Sequence, residues 1–66
     1  MQVTINGQPH QAPGGMSLAQ AVALLTSART GVAAAVNGDV VRRAAWEATP
    51  LADGDQVDVV TAVQVG

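Results

Sequence analysis

The sequence has no cysteine, no lysine, no tyrosine and no phenylalanine, and tryptophan occurs once. Without cysteine there is no disulfide, no thiolate metal site and no cysteine nucleophile. Small secreted domains commonly need such staples. Their lack, and an N-terminal MQVTINGQPH with no basic stretch leading into an apolar core, point to the cytoplasm. Three arginines stand against five carboxylates, for a net charge of −2. No basic stripe is available to neutralise phosphates, so nucleic acid is not an expected partner. No apolar run approaches the roughly 20 residues of a membrane span, so no membrane is expected either. APGGMS lacks the lysine of a phosphate-binding loop. His10 has no second histidine and no carboxylate cluster near it, and reads as a surface strand residue rather than a metal ligand. With no tyrosine, cysteine or lysine and few paired carboxylates, a self-sufficient active site is not expected.

What remains is a pattern of short elements in a chain of 66 residues, enough for one domain spanning 1–66. A domain of that size buries only about 60% of the surface its unfolded chain exposes. In MQVTINGQPHQA, Val3 and Ile5 share one face at period two, and Asn6-Gly7 is a hairpin turn between two strands. SLAQAVALLTSA predicts a helix. Ser17 and Gln20 have the spacing of a capping box, and Leu18, Ala21, Val22 and Leu25 form one apolar stripe. Gly31 is placed to turn the chain after it. VAAAVNGDVVR is a second hairpin about Asn37-Gly38, although alanine is a weak strand former. RAAWEAT is long enough only for a turn or two of 3₁₀ or α helix before Pro50, and Trp46 is expected to pack on the end of the core. Asp53-Gly54-Asp55 makes a turn. In the final strand Val57 and Val59 share the core face, while Asp58 and Val60 share the other.

The predicted order is β-β-α-β-β-(short helix)-β. The economical solution is an α+β fold in which a mixed sheet of about five strands wraps over one helix. First and last strands lying parallel in the sheet centre would make it a β-grasp, or ubiquitin-like, fold. Val60 and Ala62 then fall on the sheet face away from the helix, an apolar stripe suited to a protein partner. Arg42 and Arg43 fit two roles: a docking patch for an acidic partner, or solvated charges that discourage edge-to-edge strand pairing.

The stretch VAAAVNGDVVRRAAWEATPLADGDQVDVVTAVQVG resembles the ThiS family, the ubiquitin-like sulfur carriers of thiamine biosynthesis. The resemblance rests on Asn37, then Arg43 with Trp46 three residues later, then Asp53-Gly54-Asp55, then an apolar strand running to a terminal glycine. VTINGQ and SLAQAVALL fit the same family in placement. The resemblance implies a carrier that is a protein co-substrate, not an enzyme, and a monomer when free. The carboxylate of Gly66 is adenylated by a ThiF-type enzyme and converted to a thiocarboxylate, whose sulfur a ThiG-type thiazole synthase takes. ATP and a sulfur donor are consumed by the activating partner, and the carrier binds no cofactor or metal itself. Partner-binding residues are then Val60, Ala62, Val63, Gln64, Val65 and Arg43, with a tail from about residue 61 to 66. The chain departs from the family at Val65, where a penultimate glycine is usual. Valine is β-branched and favours extended backbone. It passes if the activating enzyme reads an extended strand there, and fails if it reads a positive φ. Two alternatives are a molybdopterin-synthase-like sulfur-carrying subunit, against which the Arg-x-x-Trp placement and the short chain argue, and a β-grasp binding module that has lost sulfur transfer through Val65.

Overall fold

The computed structural model describes residues 1–27 and 31–61. Strands β1 (Gln2–Ile5) and β2 (Gln8–Gln11) form the first hairpin, and β3 (Val32–Val36) and β4 (Asp39–Val41) the second. Each is closed by its Asn-Gly pair. The φ values are 51° and 81° at Asn6 and Gly7, and 51° and 87° at Asn37 and Gly38. Two consecutive positive φ values match the right-handed twist of the flanking strands. The turns therefore set the register: Ile5 faces Gln8, and Val36 faces Asp39. Strand β5 (Gln56–Thr61) completes a five-stranded sheet of order β2-β1-β5-β3-β4. It runs parallel to β1 through Thr4↔Gln56 and Ile5↔Val57, and antiparallel to β3 from Val36↔Val57 to Val32↔Thr61. With one helix on one face, this is the β-grasp arrangement. The alanines of β3 form a strand because they lie inside the sheet: Ala34 and Ala35 pair on both edges, and Ala33 pairs with Val60 of β5.

Helix α1 (Leu18–Leu25) starts on the expected capping box. The Gln20 N–H donates to Ser17 Oγ at 3.2 Å, and the Ser17 N–H donates to Gln20 Oε1 at 2.9 Å. The other N–H groups of its first turn find partners far along the chain. Leu18 donates to the Thr49 carbonyl at 2.9 Å and Ala19 to the Trp46 carbonyl at 3.3 Å. The 3₁₀ turn Arg43–Ala45 and the residues after it thus close the helix start, whose free donors would otherwise need water. Trp46 packs at that end of the core, as expected, and its indole N–H donates to the Val41 carbonyl at 2.8 Å.

The helix differs from expectation at its other end. It stops at Leu25, because Thr26 is extended at φ −153° and ψ 146°. Leu25, expected in the core stripe, is 43% exposed, whereas Leu18, Ala21 and Val22 are buried. Leu25 lies about 10 Å along the axis from Leu18, past Val22, the last helix residue in the core. The angular position was right, but the core has ended before the helix reaches it. The core itself joins this face of α1 to Val3, Ile5, Val57 and Val59 of the sheet.

Candidate functional site

Strand β5 alternates as its sequence predicts. Val57 and Val59 are buried, and Val60 is 63% exposed on the opposite face. Val60 lies across from Ala33. In the next row Asp58 lies across from Ala35, which lies across from Val40. Val40 is 80% exposed. The outer sheet face therefore carries an apolar strip of Val60, Ala33, Ala35 and Val40 with one carboxylate, Asp58, set into it. Val40 was missed as a candidate. Its signal was present: the Asn37-Gly38 turn fixes Ala35↔Val40 and Ala34↔Val41, so Val41 turns towards the core and Val40 away from it.

Arg43 is not part of this face. It is exposed in the 3₁₀ turn, with its guanidinium carbon 5.9 Å from the centroid of the Trp46 ring. A separation of three residues in a tight helical turn stacks the cation over the ring, where the π face attracts it. Ala19, Ala44 and Glu47 line the same shallow groove. Because Ala19 belongs to α1, Arg43 lies on the helix side of the sheet and Val60 on the other. Arg43 and Val60 were grouped as one partner-binding set, and the fold separates them.

The Asp53-Gly54-Asp55 turn carries more than its own geometry. Asp53 Oδ1 accepts from the Gln2 N–H at 2.7 Å, tying the turn to the start of β1. Asp55 Oδ2 accepts from the Ala52 N–H at 2.8 Å, and its Oδ1 accepts from the Asn37 amide at 3.0 Å. Asn37 Oδ1 in turn accepts from the Gln56 N–H at 2.9 Å. Midway along β5, Asn6 Oδ1 accepts from the Val59 N–H at 2.7 Å, and Asn6 Nδ2 donates to the Val59 carbonyl at 3.1 Å. Both turn asparagines thus reach across to β5, Asn37 at its start and Asn6 at its middle. These bonds span up to 53 residues of sequence, and no local pattern announces them.

Thr61, placed by the sequence at the start of the tail, is the last residue of β5 and pairs with Val32. Ala62, Val63, Gln64, Val65 and Gly66 lie outside the described residues. Among the described residues no three His, Asp or Glu side chains gather as a metal site requires, and no helix is long and apolar enough to cross a membrane. His10 lies half-buried on edge strand β2, across from Val3.

Residues 3–66 match the sequence model of the ThiS family. Two solved structures are similar to this chain over its whole length. The crystal structure of thiamine biosynthesis protein ThiS from Geobacter metallireducens is 29% identical with a TM-score of 0.80, and the match covers 100% of both chains. The solution structure of a thiamine biosynthesis protein from the same organism is 30% identical with a TM-score of 0.77, covering 100% of this chain and 88% of the other. Comparison with curated proteins finds no match.

Proposed function

The chain belongs to the ThiS family, and from that premise we propose that it is a cytoplasmic sulfur carrier for thiazole formation in thiamine biosynthesis. The observation that carries this reading is the family match running through Gly66. In the proposed cycle the Gly66 carboxylate attacks the α-phosphorus of ATP on a ThiF-type enzyme and pyrophosphate leaves. Sulfur at the sulfide level then displaces AMP, leaving a thiocarboxylate, and a ThiG-type thiazole synthase takes the sulfur. The anhydride matters because a free carboxylate is a poor acyl donor and AMP is a good leaving group. A glycine at the reacting end keeps side-chain bulk away from the carbonyl carbon. Val63, Gln64 and Val65 are the segment that enters the partner's cleft. The apolar strip about Val60 is the surface that holds the carrier while the tail reacts.

Intact mass after incubation with a ThiF-type enzyme, ATP and a sulfur donor tests the reading. The expected gain is one oxygen replaced by one sulfur, located on Gly66. The Val65→Gly variant is expected to convert faster, since glycine admits any backbone the cleft imposes. No gain in the native chain beside conversion of Val65→Gly would mean that the fold persists without the chemistry. Equal rates would mean that the activating enzyme does not read position 65.

Val60→Asp tests the docking face. The side chain is already solvated, so the fold should be unaffected, while a carboxylate forced into an apolar contact should weaken binding to the activating enzyme about tenfold or more. Isothermal titration with the ThiF-type enzyme measures it, and unchanged affinity would move the docking surface elsewhere.

A further inference from the structure

The backbone of β1 stops pairing with β5 early. The parallel ladder runs only through Thr4 and Ile5, and the Asn6 N–H makes its last backbone bond, to the Val57 carbonyl at 2.9 Å. At Asn6 the chain turns away from the sheet with φ 51°. The Asn6 side chain then does what the next strand residue would have done: its amide takes both the N–H and the C=O of Val59, at 2.7 and 3.1 Å. On the other edge, β3 follows β5 as far as Thr61. Up to Val59 the strand is therefore gripped from both edges, and the Asn6 amide supplies the last grip on the β1 side.

We propose that Asn6 is a positioning residue for the reaction of the tail: by pinning Val59 it holds the β1 edge of the strand from which the tail departs. The inference rests on the sulfur-carrier reading. A docked domain and a tail are two parts of one ligand, and the reacting carboxyl group lies seven residues beyond Val59. The Asn6 amide holds the edge of β5 that β3 does not, so its loss leaves the strand from which the tail departs held on one edge only beyond Val57. Misplacement of reacting atoms by about 1 Å can cost as much as 100-fold in rate. Loss of the grip should therefore lower the rate of the bound complex and leave docking unchanged, because Val60 and its strip keep their pairing to β3.

Asn6→Gly removes the amide and keeps a residue at home at positive φ. Asn37→Gly is the matched control: the same turn chemistry, with an amide that holds Gln56 at the start of β5 instead. The measurement is pyrophosphate release by a ThiF-type enzyme with ATP, with each full-length carrier varied through saturation, together with amide hydrogen exchange at Val59. Asn6→Gly should lower kcat about tenfold, keep KM within about twofold, and speed exchange at Val59. Asn37→Gly should keep both constants within about twofold of the native values. A native kcat in Asn6→Gly, with exchange at Val59 accelerated, would reduce Asn6 to a structural role and overturn the proposal. So would an equal fall in both variants, which would report general loosening. Should Asn6→Gly not fold, Asn6→Asp carries the same test, since it keeps the acceptor for the Val59 N–H and loses the donor to its carbonyl. A smaller fall in kcat is expected there, and an undiminished kcat overturns the proposal. If the native chain itself releases no pyrophosphate, the carrier reading has failed, and the positioning role fails with it. That outcome is distinct from a native chain that reacts and an Asn6 variant that reacts equally well.

Discussion

Deletion of Gly66 is expected to leave the domain folded and to abolish sulfur loading. Among the described residues the hydrophobic core runs from Val3 to Val59, and a glycine has no side chain to bury, so the melting temperature should not move. The chemistry should change completely. The new terminal carboxylate would belong to Val65, one residue short, with a branched side chain beside the carboxyl group whose oxygen is proposed to take AMP and whose carbon is then proposed to take sulfur. Reach and crowding act in the same direction. Effects of this kind on a positioned group amount to about 100-fold or more, enough to make the product undetectable on the timescale of native conversion. Intact mass and pyrophosphate release give the rate, and a thermal melt gives the stability. A truncated chain that gains sulfur at the native rate would sink the assignment of the reaction to Gly66. A truncated chain that loses stability would mean that the tail packs on the domain.

The second large effect is on stability. Leu18 is completely buried and is among the largest fully buried side chains among the described residues. Leu18→Ala is expected to cost about 2–5 kcal/mol, the lost transfer energy plus the cavity left behind. A domain of this size has a margin of only a few kcal/mol. The variant should therefore be largely unfolded at 25 °C, or melt more than about 10 °C below the native protein. Leu25→Ala is the contrast. At 43% exposure it should cost less than about 1.5 kcal/mol, since only part of the side chain leaves an apolar contact and alanine is the better helix former. Urea titrations followed by circular dichroism measure both. Equal losses at the two positions would mean that the last turn of α1 is seated on the sheet, contrary to the structure.

Leu25 also shows where sequence reasoning stops. Periodicity reports the angle of a residue around a helix and not whether anything lies opposite. The Asn-Gly turns, the capping box and the alternation in β5 were legible because each is decided within a few residues by sterics or by a local hydrogen bond. A sheet over one helix followed from the element order, whereas the parallel pairing of first and last strands entered as the condition that makes it a β-grasp, and the structure meets it. The grip of Asn6 on Val59, the tie between Asn37 and Asp55, and the closure of the helix start by the Thr49 and Trp46 carbonyls were not legible, because their partners meet only once the fold exists. Arg43 and Trp46 lie between the two cases: their spacing was noticed, and the stacked pair that explains it needed the 3₁₀ turn. On the outer sheet face, the exposed position of Val60 was legible from alternation alone, and that of Val40 required the register.

The sheet order has a bearing on how the chain becomes a domain. Each hairpin is a local structure and needs little loop closure to form. The two do not touch in the sheet, since β5 lies between β1 and β3. Contacts between distant parts of a chain are slow to form, because the intervening loop must be closed before any contact rewards it. Strand β5 is thus the keystone that unites the two hairpins, and it is also the strand that leads to the residues after Thr61. A chain arrested before β5 would have two hairpins and no common sheet to offer a partner. Completion of the sheet and presentation of the end proposed to react are in this way a single event.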